Sequence, residues 1–149
     1  MTQDKVYYFA YGSNMSQERL QERIPEAKPQ GKAKLNNYQL VINKAGSDGS
    51  GKANLKADSG SEVWGVVYEL DSSSLPELDT YEPGYDRELV EVKTEAGTSL
   101  IAVTYRSEKT GEDKPYEWYK QHLLAGAYEH SLPAEYVKKL EAIETKSEE

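Results

Sequence analysis

The sequence predicts an α+β fold, and three observations carry the prediction. Residues 6–11 and 63–70 are runs dominated by aromatic, β-branched and small side chains, which read as buried strands. Residues 86–93 and 99–105 alternate apolar and polar side chains around a glycine turn, the pattern of paired strands. Other segments place apolar residues at helical spacing, with Tyr136, Leu140 and Ile143 near the C-terminus as one example. At 149 residues the chain is long enough for one domain with a substantial core, expected over residues 1–144.

The first strand, residues 6–11, breaks at Gly12. Asn14 and Ser16 are candidate caps for a helix carrying Met15, Leu20 and Ile24, with Glu18, Arg19, Glu22 and Arg23 facing water. Ile24-Pro25 stops that helix. Residues 32–35 and 38–43 read as two strands around an Asn36-Asn37 turn, a pair suited to positive φ. Residues 46–52 match the glycine and lysine spacing of a phosphate-binding loop. Ala53, however, stands where the magnesium-binding hydroxyl belongs, and no amphipathic helix follows, so the segment reads as a surface loop.

Residues 63–70 are apolar on both faces, which predicts a central strand. Ser72, Ser73 and Ser74 offer caps for a short helix through Leu75, Leu78 and Tyr81, which Pro83 must end near Glu82. After the paired strands, residues 107–114 form a polar loop. Residues 116–125 read as a helix stopped by Gly126, and Ser131-Leu132-Pro133 opens the last one.

Composition narrows the function. Eighteen basic against 26 acidic residues give a net charge of −8, which argues against non-specific nucleic-acid binding. The absence of cysteine excludes disulfides, thiolate catalysis and cysteine-ligated zinc. No apolar run approaches the roughly 20 residues of a membrane span, and the N-terminus lacks a signal-peptide pattern. The expectation is a cytoplasmic protein with no membrane partner. Residues 145–149, an acidic tail, are expected to be solvated and frayed.

Few residues are suited to chemistry. Gly-x-Ser-x-Gly is absent, and His122 and His130, eight residues apart, match no helical metal-ligand spacing, so neither a triad nor a metal site is expected. The turn at Gly12, Ser13 and Asn14 reads either as an ordinary strand-to-helix turn or as a cradle of backbone N–H groups for an anion. Twelve tyrosines are unusual; Tyr7, Tyr11, Tyr81, Tyr85, Tyr116 and Tyr119 are candidates to line a pocket, with core filling as the plainer role. Glu82 follows a helix C-terminus between tyrosines, and both settings raise a carboxylate pKa. Locally it reads equally well as a proton-transfer group or as an exposed turn glutamate.

Five blocks in order extend these fragments over most of the chain. They are Tyr8-Phe9-Ala10-Tyr11-Gly12-Ser13-Asn14-Met15; Ala53-Asn54-Leu55; Val63-Trp64-Gly65-Val66-Val67-Tyr68; Leu78-Asp79-x-x-Glu82 with Tyr85 and Arg87; and Gly126-Ala127-x-Glu129-His130-x-Leu132-Pro133-x-x-Tyr136. Together they resemble the γ-glutamylcyclotransferase-like family, the last block being most similar to γ-glutamylcyclotransferases proper.

The resemblance implies a small mixed β-barrel flanked by helices, with its pocket between the first block and Glu82. It implies that Glu82 is the catalytic acid/base, and that Tyr11, Gly12, Ser13, Asn14, Tyr85 and Tyr119 bind substrate. The implied reaction cyclises the γ-glutamyl group of a small γ-glutamyl amino acid or amine to 5-oxoproline without cofactor or metal. Pro83 departs from the glycine usual after the glutamate, and the turn behind it is short, which alters the pocket rim. The alternatives are a non-catalytic small-molecule-binding module, or a cyclotransferase for γ-glutamylamines or larger γ-glutamyl conjugates. The oligomeric state is left open.

Overall fold

The computed structural model describes residues 4–147. Strand β1 (Lys5–Ala10) pairs antiparallel with β3 (Gly51–Asp71), from Lys5 opposite Asp71 to Ala10 opposite Val66. On its other side β3 pairs with β2 (Lys28–Ala45), β2 with β4 (Asp86–Thr94), and β4 with β5 (Ser99–Arg106). A parallel bridge between Tyr8 and Val103 returns β5 to β1, closing a five-strand barrel of mixed direction. Closure is narrow, with β2 meeting β4 at Ala33 and Lys34 and β1 meeting β5 at this one bridge. This is the implied architecture, and residues 63–70 are central in it, as expected.

The hairpin expected around Asn36-Asn37 is absent. Asn37 does have positive φ (69°), but β2 continues through it as a bulge, because Leu35 pairs with Val63 and Tyr38 with Ala57. The extra residues are accommodated on β3, where residues 58–61 leave the ladder and the Gly60 N–H donates to Asn37 Oδ1. A bulge bends a strand without reversing it. The true reversal is at residues 46–50, where the Gly46 N–H donates to the Ser50 carbonyl at 2.9 Å. Strand follows at Gly51, so the phosphate-loop-like spacing lies on a β-hairpin with no helix N-terminus behind it.

The helices depart from the sequence reading in informative ways. Ser13–Met15 forms a 3-10 turn, and α1 (Gln17–Arg23) starts only after Ser16, whose Oγ accepts from the Arg19 N–H. Asn14 is not a cap; its side chain is engaged elsewhere. Ser72–Ser74 forms a second 3-10 turn leading into α2 (Leu75–Thr80), and Ser74, at the N-cap position, does not cap it by side chain. Ser74 instead donates to Glu26 at 2.6 Å.

Gly126 does not stop its helix: α3 spans Glu117–Glu129 and runs straight through it. A Cβ at Gly126 would sit 2.5 Å from Met15 Cβ and 2.8 Å from the Ser16 N. The glycine thus serves close approach of α3 to the 3-10 turn, not termination. Helix α4 (Ala134–Glu141) buries Tyr136 and Leu140 as expected.

The core joins barrel residues Phe9, Val63, Val66 and Tyr68 to Leu20, Leu78 and Leu123 from the helices. The tail is held further than expected: Thr145 donates to Glu117, and Lys146 forms a bridge with Tyr116 and donates to the Gly49 carbonyl. Residues 148–149 lie outside the described residues. Among the described residues, no helix is long and apolar enough to cross a membrane.

Candidate active site

The end of β1, the 3-10 turn, the start of β3 and the turn after α2 converge on one cavity of about 30 Å³. Tyr8, Tyr11, Gly12, Ser13, Asn14, Ala53, Glu82, Tyr85, Thr104, Tyr105 and Tyr119 line it. The seven residues to which the resemblance gives a site role all line it, although Asn14 and Glu82 are 68 positions apart.

Glu82 is placed by its own turn. Its N–H donates to the Asp79 carbonyl at 3.0 Å, and its carbonyl accepts from the Tyr85 N–H. Asp79 braces this turn, accepting from the Tyr105 hydroxyl at 2.6 Å and pairing with Arg87 at 2.9 Å. Across the cavity, buried Asn14 donates to Glu82 Oε1 at 2.9 Å and to the Tyr8 hydroxyl at 3.1 Å. Its own Oδ1 accepts from Arg23 at 3.2 Å, so the amide is fully engaged and fixes the carboxylate.

Burial pushes the Glu82 carboxyl up to about 7. Arg23, Arg19 and Lys44, with the Asn14 hydrogen bond, pull against that rise. Desolvation wins because these cations do not touch the carboxylate: no ion pair to Glu82 forms among the described residues.

The tyrosines act as walls. The Tyr85 hydroxyl donates to the Ala53 carbonyl at 2.6 Å, and the Tyr119 hydroxyl accepts from the Ala53 N–H at 2.9 Å. Tyr11 donates across to the Tyr105 carbonyl at 2.5 Å. Burial raises the pKa of all three phenols, which therefore stay neutral. Of the other tyrosines considered, Tyr81 borders the outer opening; Tyr7 and Tyr116 line neither space.

In the 3-10 turn, the N–H groups of Met15 and Ser16 close onto the carbonyls of Gly12 and Ser13. Those of Gly12, Ser13 and Asn14 precede the first turn and have no carbonyl to meet within it.

Outside this cavity lies a vestibule of about 220 Å³, sharing Ser13, Glu82, Tyr85 and Tyr119 with it. Arg19, Arg23, Lys44, Lys52, Asp48 and Pro83 also border the vestibule. Arg19 and Arg23, expected to face water, are half-buried there: Arg19 donates to Ser13 Oγ at 3.1 Å, and Arg23 lies over the Tyr81 ring. Their spacing of four residues puts both on one helix face, a signal available in the sequence. Tyr8 and Tyr105 were also missed. Tyr8 sits inside the first block, whereas only barrel closure brings Tyr105 to it, with ring centroids 6.0 Å apart.

No group of three or more histidine, aspartate or glutamate side chains is placed to hold a metal ion among the described residues. His122 packs edge-on against Trp118, and His130 caps α3 beside Tyr68.

Known proteins share both sequence and fold. Residues 62–140 match the model of the AIG2-like family. A γ-glutamylcyclotransferase from Bos taurus is 36% identical over 150 residues, covering 95% of this chain and 80% of that protein. Its Homo sapiens counterpart is 34% identical with the same coverage. A solved γ-glutamyl cyclotransferase structure, 32% identical, superposes with a TM-score of 0.90 over 97% of this chain and 90% of its own. With its mixed barrel and its Glu82-centred cavity, the chain belongs to the γ-glutamylcyclotransferase family of enzymes.

Proposed function

We propose that this protein cyclises the γ-glutamyl group of a small γ-glutamyl compound to 5-oxoproline and releases an amine. The observation that carries the reading is Glu82, a carboxylate raised to about 7, fixed by Asn14 and facing the turn at Gly12–Asn14 across one cavity. A group with that pKa accepts and returns a proton readily near neutral pH.

The substrate's α-amine attacks its own γ-carbonyl carbon. One C–N bond forms as the C–N bond to the leaving amine breaks. Glu82 takes a proton from the α-ammonium, freeing the nucleophile, and returns it to the departing nitrogen. The two protons lost by the attacking ammonium equal the two gained by the amine that leaves as ammonium, so no cofactor is consumed. Holding the chain curled supplies much of the rate, since well-placed intramolecular attack reaches effective molarities on the order of 10⁵ M. The N–H groups of Gly12 to Asn14 donate to negative oxygen, the α-carboxylate or the developing oxyanion.

Release of 5-oxoproline from a panel of γ-glutamyl dipeptides and amines tests the reading; a panel that yields none would refute it. The role of the turn has its own test. A Cβ added at Gly12 would lie 3.3 Å from Ala53 Cβ and 3.4 Å from the Tyr119 hydroxyl, both in the cavity wall, so Gly12→Val narrows the cavity. It is expected to raise KM by on the order of tenfold, through loss of a charge-assisted hydrogen bond. The melting temperature should change by only a few degrees. Unchanged KM in a folded Gly12→Val protein would remove the turn from substrate binding.

A further inference from the structure

Lys44 is a cation without an ion-pair partner among the described residues: its stem is packed into the protein and its ammonium opens onto the vestibule. Its side chain borders the vestibule at 6% exposure, and among the described residues it makes no ion pair and no side-chain hydrogen bond. Its ammonium lies over the Tyr85 ring, 5.1 Å from the centroid, and a Cβ added to Gly84 would be 3.0 Å from it. The bulge between Ile42 and Lys44 fixes this placement: the extra residue, Asn43, turns aside to accept from Asn54 and from the Gly111 N–H. Partial desolvation lowers the Lys44 pKa, while the Tyr85 face favours its charged form. An anion entering the vestibule would therefore meet the Lys44 ammonium with no carboxylate paired to it.

We propose that the vestibule is the leaving-group subsite, and that Lys44 with Arg19 and Arg23 selects γ-glutamyl compounds whose leaving amine carries two carboxylates. This rests on the cyclotransferase reading above. The charge inventory supports it. Lys52 is occupied by Asp48 at 3.4 Å, whereas Arg19, Arg23 and Lys44 have no carboxylate partner among the described residues. The substrate's α-ammonium adds a fourth positive charge. Ionised Glu82 and the glutamyl α-carboxylate balance two, and proton transfer between Glu82 and the ammonium leaves this total unchanged. Two positive charges remain. An acidic amino acid as leaving group neutralises both, a neutral amino acid one, and a simple amine neither.

The test compares 5-oxoproline release from γ-glutamylglutamate, γ-glutamylalanine and γ-glutamylethylamine. The expected kcat/KM falls in that order, by about tenfold for each carboxylate removed, and added salt compresses the differences. In Lys44→Met the advantage of γ-glutamylglutamate over γ-glutamylethylamine drops by about tenfold, chiefly through KM, and Lys44→Arg restores most of it. Equal kcat/KM for the three compounds, or a Lys44→Met loss that scales all three alike, would overturn the subsite and leave the cyclotransferase reading standing. No 5-oxoproline from any of them would overturn both. Should Lys44→Met fail to fold, the parent's substrate order and its salt response decide the matter.

Discussion

Glu82→Gln is expected to fold, bind substrate and lose turnover by on the order of 10²-fold or more. Glutamine keeps an acceptor for Asn14 but cannot take a proton. Below about pH 7 the parent's kcat/KM should fall tenfold per pH unit as Glu82 protonates, and the residual rate of Glu82→Gln should lack this limb. Stability moves the opposite way. A carboxyl raised from 4.5 to about 7 binds more protons folded than unfolded, so its contribution to stability falls as pH rises from 4.5 to 7 and stays low above. Glu82→Gln should therefore melt higher than the parent at pH 8, by on the order of 1 kcal/mol, with the gain fading towards pH 4.5. A turn glutamate with no proton to move would show the reverse: an earlier melt and undiminished turnover.

Gly126→Val is the second large effect, and Gly126→Ala gives it a diagnostic sign. In an open helix, glycine to alanine stabilises by about 1 kcal/mol. Here the new Cβ meets Met15 Cβ at 2.5 Å and the Ser16 backbone at 2.8 Å, and α3 must back away from the turn that frames the cavity. Gly126→Ala is expected to destabilise by about 1–3 kcal/mol instead, and Gly126→Val by on the order of 3 kcal/mol. Because Asn14 belongs to the displaced turn, kcat should fall as well. Thermal melts with Gly111→Ala as a control check this, since a Cβ there meets Ala45 Cβ at an ordinary 3.5 Å. A Gly126→Ala protein more stable than the parent would show that α3 and the turn are not in tight register.

The residues legible in the sequence were those whose neighbours are local. The β4–β5 hairpin, the cap at Ser16 and the turn carrying Glu82 all follow from short-range pattern. Asn37 and Gly126 misled because one local feature serves two structures. Positive φ suits a reversal or a bulge, and glycine suits a helix stop or a close packing contact. Only the partner strand β3 and the 3-10 turn decide between them.

The candidate site divides the same way. Glu82 and the first block stood out, whereas the cationic vestibule did not, because Arg19, Arg23 and Lys44 look like ordinary solvated charges until folding brings α1 and β2 to the same space. Pro83, where the sequence departs from the resemblance, borders that vestibule.

The central claim is that the substrate's own amine, not water, attacks the γ-carbonyl. It is tested most directly by turnover of a γ-glutamyl dipeptide in water labelled with heavy oxygen. The expected result is 5-oxoproline and free amino acid in equal amounts, with no heavy oxygen in the 5-oxoproline. Free glutamate carrying heavy oxygen from the solvent in its γ-carboxylate would contradict it, because that product requires water as the nucleophile.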